Sequence, residues 1–429
     1  MIQNPQSKIR NPKSNIRWIV LSFLFLATVL LYLDRSALGI MAPFLQKEIG
    51  WSEQQYGNIN TAFMIGYALC FLIMGSLIDR IGSRNGYALS VGLWAVAQAS
   101  TIFAGTWVGF ALSRTGLSVG QSGNFPVANK VLAEWFPKKE RALAVGLFNG
   151  GSNVGTLTSP LVIPVVVSAF SNDWRAAFLW TLPVSAGWII CWLIFYRKPE
   201  EHRLVTSLEL KYIESDREIQ REGKVSWLYL IKKREVWGIC VGKFIADPIW
   251  WFYLFWGAKF LNSKFGLNLQ EIGLPFFTIY LLSWIGGIFI GWLSSSFLKR
   301  GWSLNKGRKI GFLVCAAFAL PVMLVPHIET MWLAVALIAL AAGGHCGWSA
   351  NIFSLVSDIF PGKATASVTG IGGFAGAVGG ALIAQLVGRL LQNRGIDGYS
   401  VPFIIASVGY IIALIFIQIL IPKIRPLNI

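Results

Sequence analysis

The chain reads as an all-α membrane protein: twelve transmembrane helices in two six-helix bundles, with both termini cytoplasmic. Three observations carry that expectation. Of 429 residues, 55% are hydrophobic and 13% charged, whereas soluble domains carry about a quarter charged residues. Charge-poor windows of about twenty residues, the length that crosses a bilayer, recur along the whole sequence. The basic residues between them fall on alternate loops, as the positive-inside rule requires.

The composition also excludes classes. A net charge of +17 would suit a nucleic-acid binder, but the charges sit in short loops between apolar runs, where topology explains them. We therefore expect membrane lipid around the chain and no nucleic-acid partner. Cys70, Cys191, Cys240, Cys315 and Cys346 lie in or at the ends of apolar runs, odd in number and without ligand spacing, so neither disulfides nor a metal is expected. No nucleophile, metal cluster or phosphate loop has the spacing that an enzyme needs, and no cofactor is expected.

Taken in order, residues 1–17 form a polar, basic leader in which Asn4 to Arg10 nearly repeats as Asn11 to Arg17. It shows no cleavable signal pattern. The windows lie near 18–45, 55–78, 86–105, 107–128, 142–166 and 175–196, then 236–260, 272–298, 310–327, 331–356, 365–390 and 400–422. Between the third and fourth, Ala104, Gly105 and Thr106 offer the turn. Lys8, Arg10, Lys13 and Arg17 precede the first span; Arg80 and Arg84 follow the second, Lys138, Lys139 and Arg141 the fourth, and Lys299, Arg300, Lys306, Arg308 and Lys309 the eighth. The loops in between show no such excess, so both termini face the cytoplasm and the number of spans is even. Residues 197–235 are rich in both signs, with a weak amphipathic pattern at Leu208, Tyr212 and Ile219. They separate an N-terminal bundle, 18–196, from a C-terminal bundle, 236–422, with a short tail, 423–429. Two six-span halves about a charged central loop is the layout of a secondary transporter, its site near the midplane between the halves.

Charges inside the spans are the candidate site, because each costs roughly 2.5 kcal/mol or more at membrane depth and needs a cavity or a partner. Asp34 and Arg35 interrupt the first span, and Arg114 stands in the uncharged stretch of the fourth. Arginine suits bidentate carboxylate binding, so Arg35 and Arg114 are candidate anion anchors and Asp34 a candidate proton carrier. The plain alternatives are local backbone bonding for the first pair and a helix-to-helix contact for Arg114. Lys243 and Asp247, four apart on the seventh span, share a face. They read as a self-satisfied ion pair; the functional alternatives are that Lys243 offers a further positive charge or that Asp247 titrates. His345, one turn from Trp348, is a substrate contact or a helix-to-helix hydrogen bond.

Several motifs point to a family. After the second span the chain runs Gly75, Asp79, Arg80, Gly82, Arg84, which is similar to the G-x-x-x-D-R-x-G-x-R loop of the major facilitator superfamily; the glycines let helices approach, and Asp79 and the arginines are placed to pair across the cytoplasmic face. The equivalent stretch Gly291 to Arg308 keeps a glycine and bases but no acid. Tyr32-Leu33-Asp34-Arg35, Gly123-Asn124-Phe125-Pro126, Glu134-Trp135-Phe136-Pro137 and Lys139-Glu140-Arg141-Ala142 resemble the anion:cation symporters within it. Asp247 to Trp256, His345 to Asn351, Ser354 to Asp358 and the glycine run Gly370 to Gly380 resemble its hexuronate branch.

That resemblance implies proton-coupled uptake of a sugar-acid anion such as glucuronate or galacturonate, by alternating access, in a monomer of the bacterial inner membrane. It raises Tyr32, Tyr67 and Trp348 from packing residues to substrate contacts; Asn351 is a candidate by its amide alone. The chain departs from the family at one point: where a Gly-Glu is expected, it has Gly120-Gln121, seven residues after Arg114. The resemblance assigns proton coupling to that glutamate. Gln121 cannot release a proton and imitates the protonated acid. Coupling then runs through Asp34, or Gln121 favours one state and arrests or uncouples transport. Rival readings are another organic anion, of aldonate or sialate type, and a receptor built on a transporter fold.

Overall fold

The computed structural model describes residues 15–215 and 226–427. The leader before residue 15 and Ile219 of the linker lie outside the described residues. Those described are helical, without strands. In order the helices are α1 (Ile16–Ile49), α2 (Glu53–Ser100), α3 (Trp107–Gln121), α4 (Asn124–Trp135), α5 (Lys138–Ala169), α6 (Ala176–Leu179), α7 (Thr181–Phe195), α8 (Ser207–Glu214), α9 (Trp227–Leu230), α10 (Arg234–Phe265), α11 (Leu269–Lys299), α12 (Leu304–Ala319), α13 (Met331–Ile359), α14 (Gly362–Arg394) and α15 (Ser400–Leu420).

Among the described residues, 8 helical stretches are long and apolar enough to cross a membrane. Two of them, Glu53–Phe103 and Ser367–Leu420, hold 51 and 54 residues. At about 1.5 Å per residue each is longer than two bilayer cores of about 30 Å, and each is interrupted. α2 breaks at Gly82, whose φ of 81° and ψ of 162° are non-helical and suit a residue without Cβ. The second is interrupted by the 3-10 turn Gly395–Tyr399. The turn expected at residues 104–106 is present: Thr106 caps α3, its hydroxyl accepting from the Gly109 N–H at 3.4 Å. The window expected at 107–128 is instead split at Ser122 and Gly123 and continues to Trp135.

Helices α1 to α7 pack among themselves, α1 on α5 and α2 on α3, α4 and α7; α10 to α15 do likewise. The main pairings between the halves are α1 with α10, α2 with α14 and α5 with α11. The bonds that cross cluster where α1 ends and α2 begins. Lys259 is paired to Glu53 at 2.5 Å, and the Tyr56 hydroxyl donates to the Phe255 carbonyl at 2.6 Å. Gln54 donates to Gln385 at 2.7 Å, and Gln385 donates to Asn58 and Thr61 at 2.9 Å each. Near the opposite end of α1, Arg17 is fully buried between Glu140 of α5 (3.0 Å) and Glu209 of α8 (3.2 Å). This fastens the linker helix to the first half. α8 buries Glu209, Tyr212 and Ile213, while Leu208, expected on its apolar face, is exposed.

Candidate functional site

Consecutive residues of a helix diverge by about 100°, and Asp34 and Arg35 consequently face different neighbours. The Arg35 Nε donates to the Gln121 side-chain oxygen at 3.0 Å. Its guanidinium carbon lies 5.0 Å from the Tyr32 and Tyr67 ring centres, 5.4 Å from Phe63 and 5.5 Å from Trp251. This cage of π faces stabilises a buried cation and leaves one terminal nitrogen, Nη2, without a hydrogen-bonding partner. The Asp34 side chain is buried, both oxygens likewise without a partner; Thr181 and Arg114 are the polar groups acting on it. An Asp34–Arg35 ion pair, on which protonation could act directly, is therefore not formed.

Arg114 reaches the same helix from α3. Its Nη1 donates to the Asp34 backbone carbonyl at 3.1 Å, which also accepts from Gln98 at 3.3 Å. Nε and Nη2 of Arg114 remain unpartnered. Arg35 and Arg114 border one cavity with Leu38, Asn60, Phe63 and Phe255. The space between them has room for roughly one water molecule. Sites for drug-sized ligands run to roughly 300–1,000 Å³, so this conformation is contracted around the two arginines.

Gln121 is the hinge of this arrangement. Its oxygen accepts from Arg35 while its nitrogen donates to the Leu31 carbonyl at 3.1 Å. Arg35 offers only donors and a carbonyl only lone pairs, so the position requires one acceptor and one donor. An amide or a protonated acid supplies both; a carboxylate would set an oxygen against the Leu31 carbonyl.

The second half contributes less directly. Lys243 and Asp247 form an ion pair at 2.8 Å. His345 Nδ1 is 2.9 Å from the Tyr410 hydroxyl, and its ring stacks on Trp250 at 5.3 Å. Trp348 and Asn351 are not brought to the arginine cavity. Trp348 packs between Phe312 (4.6 Å) and Tyr410 (5.3 Å). Asn351 accepts from Ser294 at 3.0 Å and donates to the Gly347 carbonyl at 3.0 Å.

Just before the break in α2 at Gly82, Asp79 pairs with Lys130 of α4 at 3.1 Å rather than with an arginine. Arg84 donates to the Leu193 carbonyl at 3.2 Å, Arg80 is exposed and Gly75 half-buried. The acid missing from Gly291 to Arg308 is supplied from α13: Asp358 pairs with Arg308 at 2.7 Å. Sequence reasoning missed Asn60, Phe63, Gln98, Thr181, Trp251 and Phe255. All but Trp251 and Phe255, which fall in a quoted motif, stand among ordinary span residues, and their roles come from pairing across helices. Among the described residues no group of acids, histidines and cysteines could hold a metal, and the cysteines are free.

A family model described as the Major Facilitator Superfamily matches residues 24–384. The chain is 31% identical to a hexuronate transporter of Escherichia coli K12 over 89% of each chain. It is 34% identical to a galacturonate transporter of Dickeya chrysanthemi over 66% of this chain and 83% of that one. With a D-galactonate transporter of Escherichia coli O6:H1 it shares 28% over 88% and 90%. Among solved structures it is similar to a bacterial homologue of the lysosomal transporter Spinster, inward-facing and occupied, with a TM-score of 0.77, 16% identity and 95% and 97% coverage. A D-xylose–proton symporter gives 0.73 at 14% identity, covering 96% of this chain and 98% of the other.

Proposed function

The chain belongs to the Major Facilitator Superfamily, a family of transporters rather than enzymes, and from that membership we propose that it imports a sugar-acid anion, a hexuronate first among them, by proton symport with alternating access. In this reading twelve spans cross a bacterial inner membrane, both termini are cytoplasmic and the monomer is the working unit. One observation carries it: two arginines of the first half, each with unpartnered N–H groups, border one cavity. A carboxylate supplies the paired acceptors that such forks require, and Tyr32, Tyr67 and Trp251 around Arg35 offer faces for a sugar ring. Relatives named for hexuronate, galacturonate and galactonate support the anion class.

Asp34 is the titratable group beside Arg114 and carries the coupled proton in this reading. Its backbone carbonyl holds Arg114, so its protonation state acts on Arg114 through space, and on Arg35 only at one remove. The bonded closure at the α1–α2 end and the contracted cavity support an inward-facing or occluded stage of alternating access. The test is uptake of glucuronate and galacturonate into proteoliposomes with an imposed pH gradient, with an aldonate panel as competitors. Concentrative, gradient-dependent uptake supports the reading. Flux that ignores the gradient leaves an exchanger or facilitated carrier, the outcome that Gln121 favours, and uptake of aldonates alone moves the substrate to that class.

A further inference from the structure

Two arginines account for the charged end of a sugar acid; the hydroxyls need their own readers. On α10, Lys243, Asp247, Trp251 and Phe255 recur at every fourth residue, so they form one ridge. Two members already face the arginine site: Phe255 borders the cavity and the Trp251 ring is 5.5 Å from the Arg35 guanidinium. The ridge continues into the Lys243–Asp247 ion pair, whose side chains keep 12% and 21% of their exposure. Asp247 stands one turn, about 6 Å, from Trp251.

The neighbouring helix is cut away for the pair. A Cβ at Gly376 of α14 would collide with the Asp247 carboxylate, and one at Gly372 would come within 3.0 Å of the Lys243 side chain. Cys240 of α10, His345 of α13 and Tyr410 of α15 also act on the pair, with the Phe353 ring 5.5 Å from the ammonium. An ammonium with three donors beside a carboxylate acceptor matches adjacent sugar hydroxyls, each of which both donates and accepts.

We propose that the Lys243–Asp247 pair reads the hydroxyl end of the substrate: with the carboxylate on Arg35 and Arg114, the sugar lies along the α10 ridge and its hydroxyls bond to Lys243 and Asp247. This rests on the sugar-acid reading above. It gives each half one end of the solute, so that binding joins the halves.

The test is equilibrium binding of glucuronate and galacturonate to the full chain in nanodiscs, with cyclohexanecarboxylate, a ring acid without hydroxyls, as competitor. Asp247→Asn is expected to weaken both sugar acids about tenfold or more and to change their ratio, leaving competition by the bare ring acid as in wild type. The exchanged pair, Lys243→Asp with Asp247→Lys, keeps an ion pair but reverses its donors and acceptors, and should not restore binding. Restoration by the exchanged pair, or an Asp247→Asn protein with wild-type affinity and ratio, overturns the proposal in favour of a structural ion pair. If the unaltered chain binds neither sugar acid, the underlying substrate reading fails, and the two failures are thus told apart.

Discussion

At the scale of single residues, Arg35 and Gln121 decide most. Arg35 is held by one neutral hydrogen bond and four aromatic faces, which keep its charge buried without cancelling it. Arg35→Lys retains the charge but loses the planar fork, and should lower glucuronate affinity tenfold or more in a binding assay. Unchanged affinity would remove Arg35 as an anchor. Gln121→Glu should introduce a pH dependence with a defined sign. At low pH the protonated acid reproduces the amide's donor and acceptor. As pH rises the acid ionises, pairs with Arg35 and competes with the substrate carboxylate. Affinity should therefore fall with rising pH in the variant relative to wild type, and parallel pH profiles of binding would refute this.

At the scale of elements, alternating access as proposed makes the joint between α2, α10 and α14 a latch. The Lys259 side chain is 5% exposed and that of Glu53 23%. Removing one partner of a buried pair costs roughly 3–5 kcal/mol, and the partial exposure of Glu53 puts Glu53→Gln toward the lower end. That loss falls on the closed arrangement alone, so opening at this end should be favoured. An impermeant maleimide applied from outside should label an Asn60→Cys reporter faster by tenfold or more, and equal labelling rates would show that the pair is not a latch. Gly57→Ala tests the same joint without charge, since its Cβ would fall 2.8 Å from the Ala384 carbonyl and 3.3 Å from Gly388 Cα. It should shift labelling in the same direction.

At the scale of the molecule, residues 199–214 of the linker are docked on the first half. Pro199 and His202 within this stretch are buried, and the His202 ring meets Trp135 at 5.5 Å and Phe195 at 5.0 Å. Burial pushes the His202 imidazole below its ordinary value of 6.5. The docked linker thus favours the neutral ring: no penalty exists well above pH 6.5, and docking weakens as pH falls through that value and the undocked ring takes up its proton. Limited proteolysis of the linker should accelerate below about pH 6, and His202→Phe should abolish that dependence.

The apolar windows, the alternating basic loops and the charges at Asp34, Arg35, Arg114, Lys243 and Asp247 are written in the sequence. The reason is physical: lipid forbids unpaired backbone and penalises charge, so spans and intramembrane charges stand out residue by residue. What a charge faces is not written there. The window at 107–128 gave no sign of the break at Ser122, and the adjacency of Asp34 and Arg35 gave no sign of the different neighbours that the two side chains meet. Asp358 completes the basic cluster around Arg308 from 50 residues away, and Trp348 turned into its own bundle while Trp251 turned to Arg35. These are outcomes of helix rotation and of packing between distant segments, set by the close fit of whole helices rather than by any local preference. The sequence by itself determined the helices and which residues are too polar for lipid; the tertiary structure alone decided which of those residues meet.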